Sequence, residues 1–241
     1  MKTLIEPTVG ELAAKDYRKV EVFKKYGVDF CCGGKKSLSK VCKEKGINQT
    51  ELERELSQAE ISGQLPSQDF NLWELGFLAD YIIQTHHKYI IRAMPLIFEY
   101  IQKVSKVHGI QNPETIEAAT LFTQVMNELN RHMMKEENIL FPYIKQLSEQ
   151  RKSNKSCLQS PFGTVENPIR MMEHEHDIVG ELMEKIRKAT INYKLPTNAC
   201  NSFRYAYAKL QEFEADLHQH IHLENNILFP KAIELEQELQ G

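Results

Sequence analysis

No run of apolar residues in this chain is long enough to cross a membrane, and its opening, MKTLIEPTVGEL, has no apolar stretch of signal-peptide length. Basic blocks and stripes are missing too: 30 Lys and Arg stand against 33 Asp and Glu, a net charge of −3. The first absence gives no reason to expect a membrane partner, and the second argues against nucleic acid. Alternating valine-rich runs with hairpin signals are also absent, so strands are not expected. Five cysteines, an odd number with two of them adjacent, do not read as a disulfide framework. The expected compartment is therefore the reducing cytoplasm.

What is present is helical periodicity. Hydrophobic residues make up 41 % and are spread throughout, enough to bury a core in one large domain or in a small and a medium one. Short amphipathic pieces fall near 11–26, 38–45 and 49–60, with Gly46 as a helix stop. They place a small helical domain at 1–62. SGQLPSQDF then reads as a linker at 63–70, rich in breakers. Beyond it, 71–241 carries four longer helical stretches, about 71–107, 113–150, 167–190 and 197–237. KVHGIQNPET separates the first two with a Gly stop and a Pro start, and His108 there reads as a cation near a helix C-terminus. Cys157, in the polar segment before the third, receives no role. Cys200 reads as a small buried residue.

The second half of this region repeats the first. HMMKEENILFPYI and HIHLENNILFPKAI both fit H-x-x-x-E-x-N-I-L-F-P, starting at His132 and His220, and chance agreement over seven fixed positions is negligible. Two helix pairs, 71–150 and 167–237, thus predict an all-α four-helix bundle with a pseudo-twofold axis. Residues i and i+4 share one face of a helix, about 6 Å apart along its axis. His132 with Glu136 and His220 with Glu224 therefore each turn an imidazole and a carboxylate inward. One such pair is usually an exposed salt link. Two copies in one duplicated motif, each followed by an apolar ILF run, point to metal.

The other two helices must complete the cage. His176 has Met172, Val179 and Met183 on its face, whereas His174 has Arg170, Asp177 and Glu181 and points to solvent. His86 and His87 both lie among apolar neighbours, so the helical face does not choose between them. Register favours His87, which precedes His132 by 45 residues, as His176 precedes His220 by 44. His218 and His222 fall on more polar faces and read as surface residues. Four histidines and two bridging glutamates suit two iron ions that bind a small gas or oxidant, with zinc and manganese left open. Glu128, Glu175 and Asp216 lie where they could orient a ligand.

The duplicated H-x-x-x-E helices, each preceded by a helix with one histidine, resemble the hemerythrin-like di-iron fold. YGVDFCCGGKKSL followed by that bundle resembles one branch closely, the repair-of-iron-centres family of iron–sulfur cluster repair di-iron proteins. The likeness covers nearly the whole chain. It implies metal ligands at His87, His132, Glu136, His176, His220 and Glu224, which selects His87 over His86. It also implies a cytoplasmic stress protein with two non-haem irons that reacts with nitric oxide and restores damaged iron–sulfur proteins. Whether it turns over nitric oxide as an enzyme, and whether it is a homodimer, stay open. The alternative is an oxygen or nitric oxide binding or sensing protein. Oxygen-carrying hemerythrins, however, use five histidines and H-x-x-x-x-D on the last helix, where this chain has H-x-x-x-E.

That resemblance gives VDFCCGGKKSL a reading. Cys31 and Cys32 precede a helix capped by Ser37, beside Lys35 and Lys36, and both features favour thiolate. Gly33 and Gly34 let the segment bend. A thiol pair here could accept iron, deliver electrons or dock on a damaged cluster. Cys42, on the following helix, reads as core.

Overall fold

Helices account for nearly all of the computed structural model, which describes residues 6–16, 18–62, 69–153 and 160–240. Cys157, most of the expected linker and the side chain of Cys32 lie outside the described set. The N-terminal part holds α1 (Val9–Lys15), α2 (Arg18–Lys25), a 3-10 turn (Cys32–Lys35), α3 (Leu38–Lys45) and α4 (Gln49–Ser62). Thr8 and Glu11 form a reciprocal capping box that starts α1. The single helix expected at 11–26 is two, because Asp16 turns extended and its carboxylate takes the Arg18 backbone and guanidinium. Ser37 caps α3, and Gly46 closes it at φ 65°, as anticipated.

Four antiparallel rods make the bundle. The first joins α5 (Leu75–Ile82) to α6 (Lys88–His108), and the second joins α7 (Glu114–Lys135) to α8 (Phe141–Ser153). The third is α9 (Glu166–Ala189) alone, and the fourth joins α10 (Asn201–Leu223) to α11 (Phe229–Gln240). Each joint is a π-helical turn, at Ile83–His87, Glu136–Leu140 and Glu224–Leu228. In the last two, the N–H of Phe141 and of Phe229 bonds the carbonyl five residues back, on Glu136 and Glu224. Pro142 and Pro230 follow at once, in the first turn of the resumed helix, where a missing donor is tolerated. The sequence ILFP is thus a device for widening a helix at a glutamate, and such widenings often mark functional sites.

Two hydrophobic clusters sit at either end of the rods. One holds Leu78, Ile82, Ile144, Ile169 and Phe229. The other holds Ile97, Phe122, Leu182 and Phe213, and continues into Phe23, Val41 and Leu52 of the N-terminal helices. Each such side chain, fully buried, contributes roughly 1.5–3 kcal/mol. Between the clusters lies one layer of buried histidine and glutamate.

The N-terminal part leans on that layer. The turn Cys32–Lys35 packs against α9, and α1 packs against the π turn Glu224–Leu228. Asn226, in that π turn, donates its amide to the Phe30 carbonyl at 3.0 Å. Gly10 and Gly34 leave room for this contact: a Cβ on Gly10 would come 2.2 Å from Asn226 Oδ1 and 3.1 Å from the Gly34 carbonyl. Gly10→Ala should therefore push Asn226 off Phe30 and cost about 1–3 kcal/mol in denaturant unfolding. Hydrogen exchange of the Phe30–Gly34 backbone should quicken with it. Parent-like unfolding and exchange would mean that the clamp does not hold the two parts together.

Candidate metal centre

Six fully buried side chains converge from all four rods. His87, Glu136, His220 and Glu224 form one group with ligand atoms within 4.8 Å of one another, and His132, Glu136, His176 and Glu224 form the other. Both carboxylates belong to both groups, the arrangement a pair of bridges requires. The structure thus brings together all six residues singled out from the sequence.

Their geometry fits cations. His87 Nε2 faces His220 Nε2 at 3.2 Å, and His132 Nε2 faces His176 Nε2 at 3.0 Å. Two imidazole nitrogens turned toward each other repel unless a proton or a metal lies between their lone pairs. Both oxygens of Glu136 and one of Glu224 are completely buried and accept no well-aligned hydrogen bond among the described residues. Their neighbours are imidazole nitrogens, with His132 Nε2 3.2 Å and His87 Nε2 3.3 Å from Glu136 Oε2 and His176 Nε2 3.0 Å from Glu224 Oε2. Unsatisfied buried carboxylate oxygens are costly and call for a positive partner. Imidazole and carboxylate in this mixture suit iron, zinc or manganese better than the all-oxygen cations.

In the metal-free chain, protons take that place. Burial pushes the His87 and His132 imidazoles down, but the Glu136 and Glu224 carboxylates outweigh it and hold both up at about 10. Glu136 and Glu224 are themselves driven below the usual carboxylate range: burial and mutual repulsion oppose this, and the surrounding histidines prevail. His220 moves the other way, because burial outweighs its partner Glu224. Raised imidazoles stabilise the metal-free fold fully below their ordinary value of 6.5 and lose that contribution as the pH climbs through about 10. Metal loading at pH 7 should accordingly expel the protons of His87 and His132, and affinity should weaken on acidification. An indicator dye in weak buffer reads this directly. Loading without proton release would mean that both rings are already neutral.

Two of the clustered histidines are held from behind by residues the repeat also encodes. Glu137 takes His87 Nδ1 at 2.8 Å, and Asn225 takes His176 Nδ1 at 2.8 Å. Each directly follows one of the two glutamates shared by both groups. Phe141 stacks on His87 and Phe229 on His176, at 5.7 and 6.1 Å between centroids. The x and F positions of the repeated motif were therefore the available signal for residues that sequence reasoning missed. Glu175, foreseen as an orienting group, does hold His132 Nδ1 at 3.1 Å, and is itself paired with Lys135. Asp216 reaches His86 instead of a ligand, and Glu128 pairs with Arg131 on the surface.

Four expectations need correction. His222 is buried, because the N-terminal part covers it: the Phe30 ring meets it edge-on at 5.6 Å, and Asn226 bonds its Nδ1. His218, expected at the surface, is partly covered by the same ring. Cys200 is exposed, ahead of α10, with His108 Nε2 at 3.2 Å from its sulfur. The setting of Cys31 is not basic. Lys35 pairs with Glu173 and Lys36 with Glu44, while the Cys31 thiol donates to Asp29 at 3.1 Å. Cys42 is buried as expected. His174 is exposed, also as expected, whereas His86 is buried beside His87.

Cys31 also lines a cleft of about 740 Å³ between the CCGG turn and helices α9 and α10, shared with Asp29, Asp177, Glu181, Arg187 and His218. Cys31 itself is buried in the wall of this cleft, at 3 % exposure, so a partner would meet its thiol only if the CCGG turn moved.

Comparison with known proteins accounts for both parts. Residues 78–232 match the hemerythrin HHE cation binding domain, and residues 5–60 match a domain of unknown function, DUF542. The iron-sulfur cluster repair protein YtfE of Pectobacterium carotovorum is 38 % identical over 95 % of this chain and 97 % of its own length. That of Musicola paradisiaca is 36 % identical over 95 % of this chain and 96 % of its own. A probable iron-sulfur cluster repair protein of Haemophilus influenzae is 33 % identical over 93 % of this chain and 96 % of its own.

Proposed function

This chain belongs to the hemerythrin HHE cation-binding family, among its iron–sulfur cluster repair proteins, and on that premise we propose that it restores iron–sulfur clusters damaged by nitrosative or oxidative stress. The observation that carries the reading is the pair of four-residue groups sharing Glu136 and Glu224. In it, His87 and His220 would hold one iron, His132 and His176 the other, and the two carboxylates both. Bound iron would supply open coordination positions for nitric oxide and a source of metal for a depleted cluster.

The residues of the chain do the rest. Glu137, Asn225 and Glu175 fix the ring orientation of three histidines, so that each Nε2 lone pair points into the cage. Phe141 and Phe229 close its far side with apolar surface, which admits a small uncharged gas more readily than an ion. Cys31, in the wall of its cleft, and Cys32, which follows it in the chain, would be the thiols that act on the client, a damaged iron–sulfur protein. No helix among the described residues is long and apolar enough to cross a membrane.

The test is recovery of a nitric-oxide-inactivated iron–sulfur hydratase, with iron-loaded or metal-free protein added. Iron-loaded protein should restore activity several-fold faster than an equal amount of free ferrous iron, and metal-free protein should not. Equal recovery with free iron would contradict a repair function.

A further inference from the structure

A column of aromatic rings runs from the surface to the metal cage, and none of the roles above uses it. Trp73 meets Tyr81 edge-on at 5.1 Å, Tyr81 meets His86 at 5.9 Å, and His86 lies parallel to the ligand His220 at 5.8 Å, with 5° between the planes. Trp73, the only tryptophan in the chain, and Tyr81 are half-buried, while His86 and His220 are buried. Every centroid separation falls within the range of interacting aromatic pairs. Asp216 holds His86 Nδ1 at 3.0 Å and so fixes the ring over its neighbour. The other nitrogen of His86 has no hydrogen-bond partner among the described residues, nor has His220 Nδ1. His86 is therefore not placed as a hydrogen-bonding support for the ligand. It is a flat ring laid against one.

The duplication sharpens this. Glu175 precedes ligand His176 as His86 precedes ligand His87, and Glu175 is an ordinary carboxylate support for His132. On that side the ring stacked on the ligand is Phe229, which does not give up electrons under biological conditions, and His87 likewise carries Phe141. Only one half of a near-symmetric bundle has exchanged its carboxylate for an imidazole and continued outward with phenol and indole, the two side chains that lose single electrons most readily. Packing alone would not require this, since Phe fills nearly the volume of Tyr.

We propose that Trp73, Tyr81 and His86 are an escape route for oxidising equivalents that arise at the metal centre when it meets a peroxide. The proposal rests on the di-iron reading above. A peroxide arriving at a centre that has already given its own electrons becomes two waters only by taking two electrons and two protons from elsewhere. The column delivers the electrons singly. Tyr81 loses one through the His86–His220 stack and releases its phenolic proton to water. Trp73 then refills Tyr81, losing its own indole proton as the phenol regains one. A low-molecular-mass thiol at the surface gives a hydrogen atom to Trp73, and two thiyl radicals pair as a disulfide. The sum is one hydrogen peroxide and two thiols going to two waters and one disulfide. The ligand histidines are spared oxidation because the hole rests on the half-buried Tyr81 and Trp73 rings nearer the surface.

The experiment treats the iron-loaded chain with hydrogen peroxide without thiol and freezes it for electron paramagnetic resonance. Ligand oxidation is read by peptide mass spectrometry, and iron content and helicity are matched among parent, Tyr81→Phe and Trp73→Phe. Parent should give an organic radical whose line shape changes with ring-deuterated tyrosine or tryptophan, and it should be lost on thiol addition. Tyr81→Phe should abolish it and raise oxygen incorporation at His87 and His220 several-fold; Trp73→Phe should trap it on Tyr81. Equal radical yield and equal histidine oxidation in parent and Tyr81→Phe would overturn the proposal. A chain that holds no iron would contradict the di-iron reading instead. The column can still be tested then, by photo-oxidising metal-free protein with ruthenium tris-bipyridine and persulfate. A radical that starts on Trp73 and never appears on Tyr81 in the parent would equally overturn it.

Discussion

Replacing Glu136 and Glu224 together by alanine is expected to reduce iron from two ions per chain to nearly none. Each carboxylate belongs to both ligand groups, so their joint loss leaves either ion with two imidazoles and no anionic partner. No other carboxylate takes part in either group, and buried cations without a paired charge are not tolerated. The metal-free fold should also weaken, by roughly 3–5 kcal/mol, because His87 and His132 lose the partners that hold their protons. Asn225→Ala, which removes only the support behind His176, should lower affinity about 10–100-fold and leave both sites fillable. His174→Ala, on an exposed ring, should change neither. Iron analysis after gel filtration distinguishes the three. Two tightly bound irons in the double variant would mean that the bridges are not these residues.

Exchanging both adjacent cysteines, Cys31→Ser with Cys32→Ser, should leave two irons and full helicity but reduce repair at least tenfold. Cys31 does not belong to the candidate ligand groups and lies instead in the wall of the cleft beside α9 and α10. The loss should follow the thiol and not its charged surroundings. Lys35 and Lys36 are engaged by Glu173 and Glu44, and a solvent-exposed ion pair contributes little. Lys35→Ala is accordingly expected to repair at nearly the parent rate. The measurement is the recovery rate of the damaged hydratase at matched iron content. Parent-like recovery by the double serine variant would return both cysteines to a structural role.

Sequence carried the bundle and its six converging residues because they are local and duplicated. A helix repeats its face every few residues, and the two ILFP motifs restate the same geometry. The helical face alone did not choose between His86 and His87, a choice that rested on register and on the family resemblance. His86 and His87 are both buried beside the π turn at Ile83–His87, so burial does not separate them; what does is that His87 Nε2 meets His220 in the cage while His86 Nδ1 meets Asp216. The burial of His222 and the clamp of Asn226 on Phe30 depend on contacts between residues almost two hundred apart, which no local pattern encodes. Asp29 illustrates a different limit. Two lysines and a helix start suggested a basic setting for Cys31, but the closest charged group is the carboxylate two residues back, which takes both its thiol and its amide.

X-ray absorption at the iron edge of the loaded protein addresses the shared-carboxylate cage most directly. Two irons bridged by Glu136 and Glu224 should give nitrogen and oxygen neighbours only, with a second iron about 3.5–4 Å away. The iron neighbour should vanish in the double alanine variant. Iron without a metal neighbour in the parent, or iron bound to sulfur, would contradict the assignment of the centre to these six residues.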